Sequence, residues 1–474
     1  MNCGRVYIWL PDSSNPLGGR VAARVVPLFR LDTDGKRISR LCGRHVRVRN
    51  GGEIYEPDPA NGNVRSEAIG DAQPNADGDF LFEPGRGGGR FDKVVFVGSS
   101  PSLAEYLESG VPFPEPEFRR RYIQASHFGE VNTYFHLDLI ATYVHDLLGE
   151  LGAPPLPQVT AVVSAHHAVT ERNGVRDGLR RGDQWLPFQG GHYRLPARHY
   201  DLHEYAPISP DGEIHLGTGR NLLQYGALVE AGGGLYRANA SHNAGILYHE
   251  YGHHITRHTA DYRANGFRPP DQQNNRKVGL DEGTCDYWAA TMLGTPHIWA
   301  WHLRHDKHVT HPRSLSSSKT MADFDSSPTA DAHANGTIWG AALWDLRTRL
   351  GRIEPEGARQ TDLMVLKALL LSGRLPKPGS NPSIRAIRRV RKSYAVGLAT
   401  LLWADELLHS SRYREIILAT FSERGIQSLA DEEWRWKTDF EPLAAKHDAH
   451  PRNPAPEPLG LGSSMEVKDK FADE

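Results

Sequence analysis

From Asn243 to His258 the chain reads NAGILYHEYGHHITRH, and this stretch limits the fold more than any other. Ala244, Leu247, Tyr248, Tyr251 and Ile255 recur at helical spacing, which predicts a buried amphipathic helix with Asn243 as its N-cap. Inside that helix lies H-E-x-x-H. Residues four apart stand about 40° apart around a helix, so His249 and His253 project from one face and can grip one metal ion. Neutral imidazoles suit Zn2+, and an open zinc site needs one further ligand. Glu250 sits about 100° round from His249, beside the ion rather than on it, where it can take a proton from a water. Gly245, Gly252 and Thr256 flank the two histidines, and their small size predicts room for an ion and a substrate. His254 and His258 share the i, i+4 spacing without an adjacent glutamate; they read as solvated or as lying behind the ligands.

The third ligand comes from further along the chain. A metzincin would need glycine at position 256 and histidine at position 259, where this chain has Thr256 and Thr259. The next glutamate after Glu250 is Glu282, in LDEGTCDYWAA. Glu282 and Asp286 are again four apart and face the same way on a second helix. One carboxylate can complete the metal site while the other accepts the ring N–H of a liganding histidine.

The rest of the chain sets the frame. At 474 residues it is long enough for more than one domain or lobe. The 55 Lys+Arg against 57 Asp+Glu leave a net charge of −2, so there is no electrostatic footprint for nucleic acid or an anionic membrane. No apolar run is long enough for a membrane span. Cys3, Cys42 and Cys285 are too few and too scattered for a disulfide scaffold or a cysteine-based zinc module. The 24 histidines are the unusual count, and only their placement carries information. The N-terminus, MNCGRVYIWLPDSS, lacks a basic n-region and a long apolar run. It predicts either an intracellular protein or the mature or truncated part of a longer one.

Residues 1–115 read as short strands (Val6–Leu10, Ala22–Leu28, His45–Val48, Phe80–Phe82, Val94–Val97) divided by Gly, Pro, Asn and Asp clusters. After a Pro-rich link, Ala125–Leu151 predicts an amphipathic helix. Its apolar stripe is Val131, Tyr134, Phe135, Leu139, Tyr143, Leu147 and Leu148, and it ends near Gly152. Strand-like pieces follow at Val159–Val163, His192–Leu195 and Glu213–Leu216. From Asn243 the period is mainly helical, over 243–259, 281–293, 335–349, 361–372, 395–408 and 411–422. Residues 429–474 form a charged tail containing Pro and Gly. The order is an α+β pattern in two lobes: 1–115 as a β-rich N-terminal region, 116–260 ending in the metal helix, then helical 261–428.

These motifs together resemble the glutamate-zincin peptidases of the thermolysin and fungalysin type, with the bacterial fungalysin-like group the closer match. HEYGHH…DEGTCDYWAA resembles that family's zinc helix and its E-G-x-x-D helix. GEIHLGTG is similar to its strand ahead of the zinc helix, and His333-Ala-Asn335-Gly-Thr-Ile-Trp339 to its H-x-N-G-x-x-W segment. The likeness runs over about 90–428. It implies a two-lobed thermolysin-like fold with zinc on His249, His253 and Glu282, Glu250 as general base, and Asp286 orienting His249. It further implies His333 on the tetrahedral oxyanion, Arg313 on a substrate carbonyl, and a secreted protein. Asp331, two residues before His333, is placed to orient it. Tyr262 is the candidate for the oxyanion-side tyrosine, and GGHYRLPA stands where the family has an asparagine-bearing edge strand. The polar stretch 267–278 reads as a surface loop that lengthens the gap between second and third ligands, and no calcium cluster matches.

The function so implied is a zinc endopeptidase acting on a polypeptide substrate. Two other readings stand beside it: a zinc aminopeptidase, for which no amine-binding acidic motif is present, and a zinc-stabilised binding or adhesion module without turnover.

Overall fold

The computed structural model describes residues 2–12, 15–32, 40–58, 63–84, 116–164, 191–194, 211–217, 221–224, 227–230, 240–260, 279–298, 313–325, 331–374 and 394–427. The architecture is mixed α+β. Strands β1 (Cys3–Asp12) and β2 (Asn15–Pro27) form an antiparallel hairpin. Next come β3 (Val46–Asn50) and a second antiparallel pair, β4 (Glu53–Asp58) with β5 (Asn63–Ala68). A long helix, α1 (Pro116–Glu150), precedes β6 (Val159–Val163), β7 (Gly191–Arg194) and β8 (Glu213–Leu216). A short pair, β9 (Asn221–Gln224) and β10 (Ala227–Glu230), closes the β-containing part. The remainder is helical: α2 (Ala244–His258), α3 (Gly279–Leu293), α4 (Ala332–Ile353), α5 (Gly357–Arg374), α6 (Tyr394–His409) and α7 (Arg414–Ser422). None of the described helices is long and apolar enough to cross a membrane. The expected strand at Val94–Val97, the loop at 267–278, Tyr262 and the tail from 429 lie outside the described residues. So do Leu195–Ala197 of GGHYRLPA.

The central sheet has the order β3–β6–β8–β7. β3, β6 and β8 run parallel, and β7 is antiparallel to β8 at the edge. Alternation in β6 buries Val159, Ala161 and Val163. The partner strand β3 comes from the first fifty residues, so the β-rich start shares this sheet and one continuous core with α1. Phe80 contributes a single bridge to Gly4 rather than a strand.

The structure shifts the expected stripe of α1. Leu139 is 44% exposed, while Leu137, Ile140, Ala141 and Val144 are fully buried beside Val131, Tyr134 and Leu147. The helix also begins at Pro116, earlier than expected, with proline in the first turn where its missing N–H costs nothing. Its middle is covered on several sides, so polar residues are buried there and need partners. Asn132 accepts from the Tyr7 backbone N–H and donates to Ser241 O. His136 lies between Tyr7 O at 2.9 Å and the Tyr248 hydroxyl at 2.7 Å, joining β1, α1 and α2. At its end Gly152 adopts φ +60 and Ala153 N–H donates to Leu148 O, a left-handed glycine cap.

Helices α2, α3 and α4 pack at backbone distance because glycines line their contacts. A Cβ on Gly252 of α2 would lie 2.7 Å from Cys285 Cα of α3. A Cβ on Gly283 of α3 would run into Gly336 O of α4, and one on Gly336 would lie 2.8 Å from Gly283 N. A hydrogen bond reinforces the stack, Trp339 Nε1 donating to Thr284 Oγ1 at 3.1 Å, and Tyr394 of α6 donates to Asn335 O of α4 at 2.6 Å.

Candidate metal centre

Helix α2 starts where Asn243, in an extended conformation, accepts hydrogen bonds from Gly245 N and Ile246 N. Every residue from Ala244 to Arg257 is buried, not one stripe of them. The small residues beside the histidines therefore do other work than expected. Gly252 admits α3, and Gly245 admits the backbone of Ile298, so neither opens space for a substrate. His254 is likewise not solvated: it is fully buried between the Tyr193 hydroxyl and Pro157 O, each at 3.0 Å. His258 meets Asp211 O at 2.9 Å, so this second pair secures the helix to the sheet region.

The close contact of α2 and α3 brings the two motifs together. His249 Nε2 lies 3.2 Å and His253 Nε2 3.5 Å from Glu282 Oε2. His249 Nδ1 meets Asp286 Oδ1 at 2.7 Å, as the spacing of Glu282 and Asp286 implied, with Glu282 facing the site and Asp286 behind it. Arg313 donates from Nε to the other oxygen of Asp286 at 2.7 Å. From α4, His333 Nε2 approaches Glu282 Oε2 at 3.2 Å. Asp331 is the N-cap of α4; its Oδ1 accepts from His333 N–H at 2.9 Å and lies 3.1 Å from His333 Nδ1. The seven expected site residues are thus gathered in one cluster, in which all but the partly exposed Arg313 are buried.

Behind His253 stands a group that the motifs did not single out. Its Nδ1 lies 3.3 Å from Cys285 Sγ and 3.5 Å from Asp281 Oδ2. Asp281 also accepts from Arg257 Nη2 at 2.6 Å and from Thr256 Oγ1 at 2.7 Å. The signal was present in the spacing: Arg257 follows His253 by four, and Cys285 follows Asp281 by four, so each pair shares a helix face.

The electrostatics follow from burial and from this crowding. Burial and Arg313 oppose charge on His249, yet Asp286 and Glu282 carry its pKa above the ordinary value. Burial also opposes charge on His253, but Cys285, Glu282 and Asp281 raise it well above. Glu282 is held well below the usual carboxylate range despite its burial, by His333, His253 and His249. Glu250 moves the other way: burial raises its pKa and outweighs the histidines nearby.

The donor set fits a metal ion. Glu282 Oε2, His253 Nε2 and Glu250 Oε2 are buried without a hydrogen-bond partner, a costly arrangement unless a cation or solvent meets them. Two overlapping groups have ligand atoms within 4.8 Å of one another: His249, Glu282 and His333, and His249, His253 and Cys285. The first contains Glu282 Oε2, the atom on which all three imidazoles converge. Cys285 sits on the far side of His253, against Nδ1.

Comparison with protein-family models and with curated proteins gives no match.

Proposed function

We propose that this chain is a zinc endopeptidase of the thermolysin-like, two-lobed kind. The observation that carries the reading is the convergence of His249, His253 and His333 on Glu282, with the buried Glu250 carboxylate beside them and one of its oxygens unpartnered. A buried carboxylate oxygen without a partner is a cost, and a role in proton transfer would explain its presence.

His249, His253 and Glu282 would hold the ion, and Asp286 would keep His249 Nδ1 occupied so that Nε2 faces it. A bound zinc ion supplies a Lewis acid for the scissile carbonyl and makes a water acidic near neutral pH. Glu250 would take a proton from a water at such an ion and return it to the departing amine. His333, held against Asp331, would donate to the oxyanion when protonated. Arg313 supports the site through Asp286 more directly than through contact with substrate.

The β7 edge supports an extended polypeptide as substrate. It is an outer strand of the sheet among the described residues, and a Cβ on Gly191 would lie 2.8 Å from Glu250 Cγ. A peptide pairing with this edge through its main chain would run beside the general base. The near-neutral net charge of −2 agrees with recognition of backbone rather than of charge.

The second reading, a zinc-stabilised module without turnover, draws on the close approach of a third imidazole to Glu282. Glu250→Gln separates the two. It should retain zinc and lose hydrolysis of a casein substrate by at least ~100-fold. Turnover like that of the unaltered protein would contradict the mechanism.

A further inference from the structure

The net charge of −2 averages over one segment that is strongly one-sided. From Lys36 to Arg49 the chain carries Lys36, Arg37, Arg40, Arg44, Arg47 and Arg49 and no carboxylate. Arg40, Arg44, Arg47 and Arg49 lie among the described residues, and all four are exposed. None of the four forms a salt bridge among the described residues. Other surface arginines do: Arg349 with Glu423, Arg359 with Glu150 and Arg412 with Glu354. Asp32, the carboxylate that comes beside this segment, meets the Cys42 thiol at 3.5 Å instead. In β3, Val46 and Val48 are buried in the core beside α1, so Arg47 and Arg49 project together from the other face. Residues two apart on a strand stand about 6.7 Å apart. Arg44 occupies the turn in which Gly43 N–H donates to Val46 O, and the antiparallel bridge of Cys42 to Arg47 turns the Arg40 end back along β3. Like charges so gathered, without carboxylate partners, repel one another, and a bound polyanion relieves that repulsion.

From this row of arginines we infer that the outer face of β3 is a docking surface for a linear sulfated polysaccharide. A guanidinium presents a rigid fork of donors that fits a sulfate or a carboxylate in two-point contact. Other polyanions fit the face less well. Thr160 and Val162 of β6 stand beside Arg47 and Arg49 in register, so this strip has no aromatic ring on which a base could stack. Neither β3 nor β6 carries an exposed large apolar side chain to enter a lipid surface. The strand order β3–β6–β8–β7 places the face at the sheet edge opposite β7, the strand beside Glu250. A bound polysaccharide would therefore tether the protein without occupying the candidate metal centre, and nothing in this surface depends on that centre or on peptide hydrolysis.

Fluorescence anisotropy with a labelled heparin decasaccharide, on the full-length protein over a series of salt concentrations, tests the assignment. Binding that weakens steadily as salt rises is expected; no binding at low salt would overturn it. The pair Arg47→Glu with Arg49→Glu, with circular dichroism matching the parent, should lose at least ~10-fold in affinity. Arg24 and Arg352 are exposed elsewhere on the protein. Arg24→Glu with Arg352→Glu makes the same change in net charge and should stay within about twofold of the parent. Equal losses in the two pairs, or no loss in the first, would overturn the inference. Where the glutamates disturb β3, Arg47→Gln with Arg49→Gln gives the same readout, with a loss again expected. Oligodeoxythymidine and phosphatidylserine vesicles complete the comparison. Tighter binding of either than of the decasaccharide at equal salt would assign the surface to that partner and overturn the inference.

Discussion

His253 takes its orientation from behind. Its Nδ1 faces Asp281 and Cys285, and Asp281 is shared with Arg257, both nearly fully buried. Replacing one partner of a buried ion pair leaves the other charge poorly compensated. Asp281→Asn should therefore cost about 3 kcal/mol in denaturant unfolding and weaken zinc binding by ~10–100-fold in chelator competition. Unchanged zinc affinity would show that His253 needs no such support. At this scale the clustering of His249, His253, Glu282 and Asp286 was legible because H-E-x-x-H and E-x-x-x-D encode geometry in spacing alone. The residues behind them were harder to read. Asp281 is adjacent to Glu282 and looks like an ordinary first-turn carboxylate until α2 and α3 are packed together. The same holds for Arg313, which reads as a substrate contact in the sequence and donates to Asp286 in the fold.

The elements carry the site by approaching one another closely. Helix boundaries followed from periodicity and caps, so α2, α3, α5 and α6 lie close to where the pattern put them. Their contacts did not follow. Gly245 and Gly252 beside the motif read as space for a ligand, yet both are filled by a neighbouring backbone, and Gly283 and Gly336 meet each other in the same way. Gly283→Ala should cost about 1–3 kcal/mol by overpacking, and because it displaces Glu282 it should also weaken zinc binding. Equal thermal stability in that variant would contradict the packing described. On the sheet side, Gly191→Ala brings a methyl group against Ile246 and Glu250. We expect it to lower kcat for a peptide substrate by more than ~10-fold with zinc content unchanged. The stripe of α1 was misplaced because its middle is covered by β1, α2 and the sheet at once, and buried polar groups such as His136 blur a two-sided pattern.

For the whole molecule, the first fifty residues are joined to the central sheet through β3, a parallel pairing with β6 across more than a hundred residues of chain. Local periodicity carries no record of so distant a partner. Two histidines at these joints make the fold sensitive to acid. Burial lowers the pKa of His136 to about 4, and burial with His145, Arg44 and Arg30 lowers that of His45 to about 4. Both are ordinary histidines, titrating near 6.5, once unfolded, so the unfolded chain binds more protons between these values. Their contribution is full above about pH 6.5 and is lost as the pH falls toward 4. The Tm should fall across that window, and less steeply in His45→Gln, which cannot titrate; parallel slopes would contradict the assignment. The central claim is that this fold assembles one zinc site for hydrolysis of peptide bonds. Metal analysis of the purified full-length protein, coupled to a casein assay before and after chelation, tests it most directly. One zinc per chain is expected, with loss of hydrolysis in the chelator and its return on adding zinc. A protein that binds zinc but cleaves nothing, or cleaves equally well without it, would contradict the claim.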